Sequence, residues 1–255
     1  MVLDVESGTI VGAAGGDVLR HRIATPGSTV KPFVLELALQ EHRIAPDLTL
    51  ACRRRLEIGG KRMDCSHADV MGSYNAVEAL ALSCNSYFAA VGARLQAGEL
   101  ERHFRELGFN HATGLLSGES EGRITEAHTV EQRELLALGA EGIEVTPLEL
   151  ANAYLRLARA AEKAAPVQKP VFEGLRRSAD SGFAQMARPQ GLSIAAKTGT
   201  SSDRGSAHTH AWLVGYAPAE NPRIVVLVFL ENGRGSSDAA LAARTIFQAY
   251  ADASR

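Results

Sequence analysis

Residues 210–231, HAWLVGYAPAENPRIVVLVFLE, hold the reading on which the fold turns. The unbroken apolar run Ile224 to Leu230 is short for a buried helix and suits a strand covered on both faces. Pro218 and Pro222 bracket a turn, so 210–217 and 223–231 read as neighbouring strands. Residues 192–200 add a third. At the other end of the chain, Val2-Leu3-Asp4-Val5 and Thr9-Ile10-Val11 flank Glu6-Ser7-Gly8 as a short β-hairpin.

Between these ends the period is helical. Val30, Val34, Leu37 and Ala38 share one face of a helix expected to start at Ser28, after a loop over 15–27. From residue 73, helices carry Val77, Leu80 and Ala81, capped by Ser73 or Asn75, then Phe88, Val91 and Leu95, and a third ends at Leu107-Gly108. Thr146-Pro147-Leu148-Glu149 joins a Thr N-cap, Pro at the first helical position and Glu at the third. Residues 163–190 form a polar stretch to which no element is assigned. A closing helix, capped by Ser236 or Ser237, presents Ala239, Ala243, Ile246 and Tyr250 on one face. Strands at both ends with helices between predict one α+β domain over 1–255. An antiparallel sheet of about five strands flanked by helices would form an α/β subdomain from 1–32 and 166–255. An all-helical subdomain, 33–165, would be inserted into it.

The charge balance excludes some partners. With 27 Lys+Arg against 29 Asp+Glu over 255 residues, the chain carries a net charge of −2 and is no polybasic nucleic-acid binder. Aromatics at 5% are too few for base-stacking platforms. No run approaches the ~18 apolar residues of a membrane span.

Three short motifs can do chemistry. In Ser28-Thr29-Val30-Lys31, positions i and i+3 share a helix face, so the lysine amine can reach the serine hydroxyl. A serine is a poor nucleophile until a base takes its proton, and a lysine with a depressed pKa can be that base. Ser83-Cys84-Asn85 lies at a junction of two helices. Lys197-Thr198-Gly199-Thr200 lies on a strand, where cation and hydroxyls suit a carboxylate and Gly199 admits a close backbone approach. Each motif is weak alone. Together and in this order they match the set S-x-x-K, a serine triplet and K-T-G.

The chain resembles the transpeptidase domain of high-molecular-weight penicillin-binding proteins, of class B type. The likeness rests on residues 26–33 (PGSTVKPF), 79–88 (ALALSCNSYF), 145–151 (VTPLELA), 210–218 (HAWLVGYAP) and 230–233 (LENG). It implies Ser28 as the acyl-accepting nucleophile and Lys31 as general base. Ser83 would relay the proton and Lys197 would hold the network. Asn85 would bind the substrate amide, and Thr198 and Thr200 the terminal carboxylate, with backbone N–H groups of Ser28 and Thr200 as the oxyanion hole. The implied partners are peptidoglycan stem peptides ending in D-Ala-D-Ala, β-lactams, and a glycosyltransferase at the membrane. The implied location is periplasmic, with the family's membrane anchor and pedestal outside this chain. No cofactor is implied.

The same fold also serves β-lactamases and non-turnover β-lactam sensors. Glu149-Leu-Ala-Asn152 has the wrong spacing for a deacylating loop, and Glu149 reads as the capping acid. Cys52 and Cys65, the latter in Cys65-Ser-His67-Ala-Asp69, read as a disulfide or free thiols. A metal reading wants a fourth ligand and a closed geometry, so none is assigned. Cys84 reads as a small packed residue, His210 as structural or at the cleft edge. Arg53-Arg54-Arg55 and Lys61-Arg62 read as solvated faces.

Overall fold

The computed structural model of the chain describes residues 1–68, 71–202 and 208–254. Strands β1 (Val2–Asp4) and β2 (Ile10–Gly12) form the expected hairpin. Helix α1 (Gly16–His21) interrupts the expected loop, and a 3-10 turn over Gly27–Val30 leads into α2 (Lys31–Gln40). The helix expected from Ser28 therefore begins at Lys31, with Ser28 inside the tighter turn. A ribbon-like stretch follows, in which β3 (Leu50–Ala51) pairs with β6 (Ser73–Tyr74) and β4 (Glu57–Ile58) with β5 (Lys61–Arg62).

Helices α3 (Ala76–Ala81), α4 (Asn85–Gly92), α5 (Glu99–Glu106) and α6 (Val130–Ala137) come next, with β7 (Arg123–Ile124) pairing with β8 (Ile143–Glu144). Asn75 caps α3 through a reciprocal box with Glu78. Helix α7 (Pro147–Ala161) starts in the box read from sequence, Thr146 with Glu149. Helix α8 (Lys169–Ser181) occupies the polar stretch to which the sequence assigns no element. Its buried face, Val171, Gly174, Leu175, Ser178 and Ala179, recurs at helical spacing, and the small residues on it let the helix pack closely on α3.

Strands β9 (Ala195–Ser201), β10 (His210–Ala217) and β11 (Ile224–Leu230) complete one five-stranded antiparallel sheet in the order β2-β1-β11-β10-β9. Leu3 faces Val225, and Val214 faces both Leu227 and Lys197. The apolar run thus lies mid-sheet. One face, with Trp212, Val214 and Leu227, meets the larger core, where α7 lies against β10 and β11. The other, with Leu213, Val226 and Val228, meets α9 (Ala240–Ala253). Its buried residues are Ala240, Ala243 and Phe247, while Ile246 and Tyr250 flank them half-buried. Neither Ser236 nor Ser237 caps α9. A π turn over Gly235–Ala239 precedes it, and the Asp238 carboxylate accepts the Arg234 N–H at 2.7 Å.

Candidate active site

Ser28 is half-buried and lines a cleft of about 880 Å³ with Lys61, Asn85, Arg123 and Thr200 on its walls. Its turn is tied from several sides. The Thr29 hydroxyl donates to the Pro26 carbonyl at 2.8 Å, and the Tyr154 hydroxyl to the Thr29 carbonyl at 2.8 Å. The Trp212 indole N–H donates to the Thr25 carbonyl at 3.1 Å, and the Gly27 N–H to the Gly139 carbonyl at 3.0 Å.

Gly139 has φ +64°, and a Cβ there would stand 2.2 Å from the Gly27 carbonyl oxygen. Gly139→Ala is expected to destabilise the fold by at least about 2 kcal/mol, from left-handed strain and displacement of the turn. Denaturant midpoints check the stability, and the rate of penicillin labelling checks the turn.

Gly199 meets the same turn from the sheet side. A Cβ on it would lie 2.7 Å from the Pro26 carbonyl and 2.9 Å from Thr29 Cγ2. The absence of a side chain there lets the nucleophile turn pack directly on β9.

Two buried amines meet at one hydroxyl. Lys31 Nζ donates to Ser83 Oγ at 3.2 Å, to the Ser83 carbonyl at 2.9 Å and to Asn85 Oδ1 at 2.6 Å. Lys197 Nζ donates to Ser83 Oγ at 2.9 Å and to the Thr198 carbonyl at 3.0 Å. Both lysines are fully buried. Burial pushes the Lys31 amine down to about 7. The Lys197 amine is held well below its ordinary value, first by burial and then by repulsion from Lys31. A hydroxyl can donate to one neutral amine while accepting from a charged one, so Ser83 can pass a proton between them.

Ser83 reaches that place through an unusual backbone. Its φ is +54°, and it sits between the last residue of α3's cap, Leu82, and Cys84 before α4. The left-handed turn stops one helix and starts the next within three residues. Asn85 Nδ2 donates to the Met63 and Asp64 carbonyls at 3.1 and 3.2 Å, so its amide ties a cleft-wall segment to Lys31.

Ser28, Lys31, Ser83, Asn85, Lys197 and Thr200 thus converge. Thr198 and Thr200 both fall on the opposite face of β9 from Lys197; Thr198 is buried, whereas Thr200, at the exposed end of the strand, lines the cleft and its hydroxyl accepts the Gly235 N–H at 3.0 Å. Glu149 is buried and committed, its carboxylate accepting the Thr146 and Gly122 N–H groups, each at 2.7 Å. His210 is buried too. Arg22 donates to its Nε2 at 2.9 Å, and its Nδ1 lies 3.0 Å from the Glu231 carbonyl.

A further convergence lies behind Ser83. Cys52, Cys65, His67 and Cys84 bring their ligand atoms within 4.8 Å of one another, and the three cysteines are free thiols. Asp69, read with Cys65 and His67, lies outside the described residues. The sequence set His67 beside Cys52 and Cys65, and Cys84, read there as a small packed residue, joins them through the fold.

A half-buried serine, two buried lysines bridged by a second serine, and an α+β scaffold define the serine–lysine acyl-transfer class of site. The family model of the penicillin-binding protein transpeptidase domain matches residues 1–251, and the chain belongs to that family. It is 25% identical over 250 residues to stage V sporulation protein D of Bacillus subtilis, covering 83% of this chain and 38% of that protein. It is 26% identical over 285 residues to the peptidoglycan D,D-transpeptidase MrdA of Haemophilus influenzae, covering 88% and 44%. The chain therefore spans less than half the length of these curated relatives. The apo transpeptidase domain of Burkholderia pseudomallei penicillin-binding protein 3 has the same fold, with a TM-score of 0.84, 23% identity, and 98% and 87% coverage. Among the described residues no helix is long and apolar enough to cross a membrane.

Proposed function

We propose that the chain is a D,D-transpeptidase domain that cross-links peptidoglycan stem peptides ending in D-Ala-D-Ala and is acylated by β-lactams as substrate mimics. The observation that carries this reading is Ser83 Oγ held between Lys31 Nζ and Lys197 Nζ beside the Ser28 cleft.

In the proposed acylation, neutral Lys31 takes the Ser28 proton as Oγ attacks the carbonyl of the penultimate D-Ala. The N–H groups of Ser28 and Thr200 face the developing oxyanion, one such donor being worth ~3–4 kcal/mol. As the amide bond breaks, Ser83 passes the proton to the departing D-Ala amine, and Lys197 holds Ser83 in line. The amine of a second stem peptide then attacks the acyl-Ser28 ester, forming the cross-link; its proton passes through Lys31 to the departing Ser28 Oγ, which restores the free hydroxyl and the neutral amine. Thr200 binds the terminal carboxylate. Asn85 positions Lys31 and, by exchanging a partner, the substrate amide. In this reading the domain works outside the cytoplasmic membrane beside a glycosyltransferase, and its subdomains are 1–32 with 166–255, and 33–165.

The committed Glu149 favours this over hydrolysis, because a carboxylate that accepts two backbone N–H groups is not poised to activate water. Fluorescent penicillin, nitrocefin and a stem-peptide mimic separate the readings. The expected result is a long-lived adduct, slow nitrocefin turnover, and release of D-Ala from the peptide. Rapid nitrocefin turnover would point to a β-lactamase. A stable adduct without D-Ala release, when an acceptor amine is supplied, would point to a sensor.

A further inference from the structure

We propose that Arg123 and Glu144, on the wall of the Ser28 cleft, form a specificity subsite for a dipolar side chain, one that ends in an ammonium and a carboxylate on the same carbon. The side chain belongs to the residue before D-Ala-D-Ala in the donor stem. This assignment rests on the D,D-transpeptidase reading and narrows its substrate class.

Among the described residues, five charged side chains line the cleft: Lys61, Arg62, Arg123, Glu141 and Glu144. Three of them are committed elsewhere. Lys61 is ion-paired with Glu141, and Arg62 Nε donates to the Asp64 carboxylate at 2.5 Å. Arg123 and Glu144 differ. They stand opposite each other in register across β7 and β8, yet Arg123 Nη1 comes only to 3.9 Å from Glu144 Oε2, beyond hydrogen-bond reach. Neither side chain hydrogen-bonds to any described residue, and they are 74% and 45% exposed. The guanidinium fork is thus free to take a carboxylate, and the Glu144 oxygens to take an ammonium.

The ribbon beneath this pair is fixed to the nucleophile turn. The Gly122 N–H donates to buried Glu149 at 2.7 Å, and a Cβ at Gly122 would lie 2.5 Å from the Glu144 carbonyl oxygen. The Thr125 N–H donates to the Gly142 carbonyl at 2.8 Å. Val145, next to Glu144, exchanges two hydrogen bonds with Ala24, at 2.9 and 3.0 Å, four residues before Ser28. Glu149 therefore has a second task beyond capping α7: it anchors the strand that carries Arg123.

The pair is neutral as a unit, which decides what it selects. A side chain ending in an ammonium alone would gain Glu144 and be repelled by Arg123, and one ending in a carboxylate alone the reverse. A group with both charges satisfies both partners and displaces only the loose 3.9 Å contact. The amine that attacks the acyl-Ser28 ester has to be neutral, so an ammonium held at Glu144 belongs to the donor stem and not to the acceptor.

The test uses three N-acyl peptides, X-D-Ala-D-Ala, competing with fluorescent penicillin for the intact chain. X is a diamino diacid with its far end free, with the far carboxylate converted to a carboxamide, or with the far amine acetylated. The free form is expected to protect against labelling at about tenfold lower concentration than either blocked form. Arg123→Gln should lose the preference for carboxylate over carboxamide and keep that for the free amine. Glu144→Gln should do the reverse, a crossed pattern that general misfolding does not produce. Equal protection by all three peptides, protection by none, or an uncrossed loss in the variants overturns the subsite and leaves the acyl-serine reading standing. A folded chain that penicillin does not label removes that reading, and the subsite with it.

Discussion

Ser28→Ala is expected to abolish covalent labelling by penicillin altogether, while the melting temperature stays within a degree or two of the parent. Covalent acylation needs an oxygen at that position, and the remaining hydroxyl nearest the lysines, Ser83 Oγ, is already bound by both amines. The turn around residue 28 is held by Thr25, Pro26, Gly27 and Thr29, not by the Ser28 side chain, so the substitution leaves its supports in place. Gel fluorescence after incubation with a labelled penicillin, read beside thermal unfolding, checks both halves. A variant that still forms an adduct would place the nucleophile elsewhere.

Lys31→Met should act on rate. Methionine keeps most of the volume of the buried stem and removes the amine, so the pocket beside Phe88 stays filled. Loss of a general base costs about 10²–10⁴-fold, and the second-order rate constant for acylation is expected to fall by that factor. The parent enzyme should show the pH dependence of a buried amine. Because Lys31 sits at about 7, its neutral form is lost below that value, and acylation is expected to fall about tenfold per pH unit under ~pH 6 and level off above ~pH 8.

Stability follows the same group with a definite sign. Between about 7 and the ordinary lysine value of 10.5, the unfolded chain holds a proton that the folded chain has released. Stability therefore rises with pH across that window, and the rise should shrink in Lys31→Met. Stopped-flow labelling from about pH 4.5 to 9 and chemical denaturation from about pH 6 to 10 measure the two effects. A flat rate profile would remove Lys31 from the proton path.

The three chemical motifs could be read from the chain because each is short and local. The sheet could be read because Ile224 to Leu230 has no polar interruption, and the α7 start because three capping signals coincide at Thr146–Glu149. Other features depend on neighbours distant in sequence. Helix α8 was hidden because its sequence is mostly polar, and only Val171 and Leu175 add apolar bulk to a buried face completed by Gly174, Ser178 and Ala179. The left-handed Ser83 leaves no mark in a sequence where a glycine or asparagine would be the usual signal. The sequence does not show that Gly199 also makes room for Pro26 and Thr29, which stand where its Cβ would be. The meeting of Cys84 with Cys52, Cys65 and His67 is a product of tertiary packing, since Cys52 follows β3 and Cys84 directly precedes α4.

The strand order has a consequence for how such a chain comes into being. The Met1 amine donates to the Leu227 carbonyl, and β1 runs between β2 and β11 in the finished sheet. A chain growing from its N-terminus makes the β1–β2 hairpin first and then waits for more than two hundred residues before the partner strand is synthesised. A lone two-stranded hairpin is marginal in water. The intervening helices can form locally as they emerge, but the large core cannot close over β10 and β11 until both exist. Assembly of the sheet is thus a late, long-range event, and loop-closure entropy makes such pairing slow. During that interval the exposed β1 edge and the apolar run of β11 are the segments most open to mispairing, and the most natural clients of a chaperone.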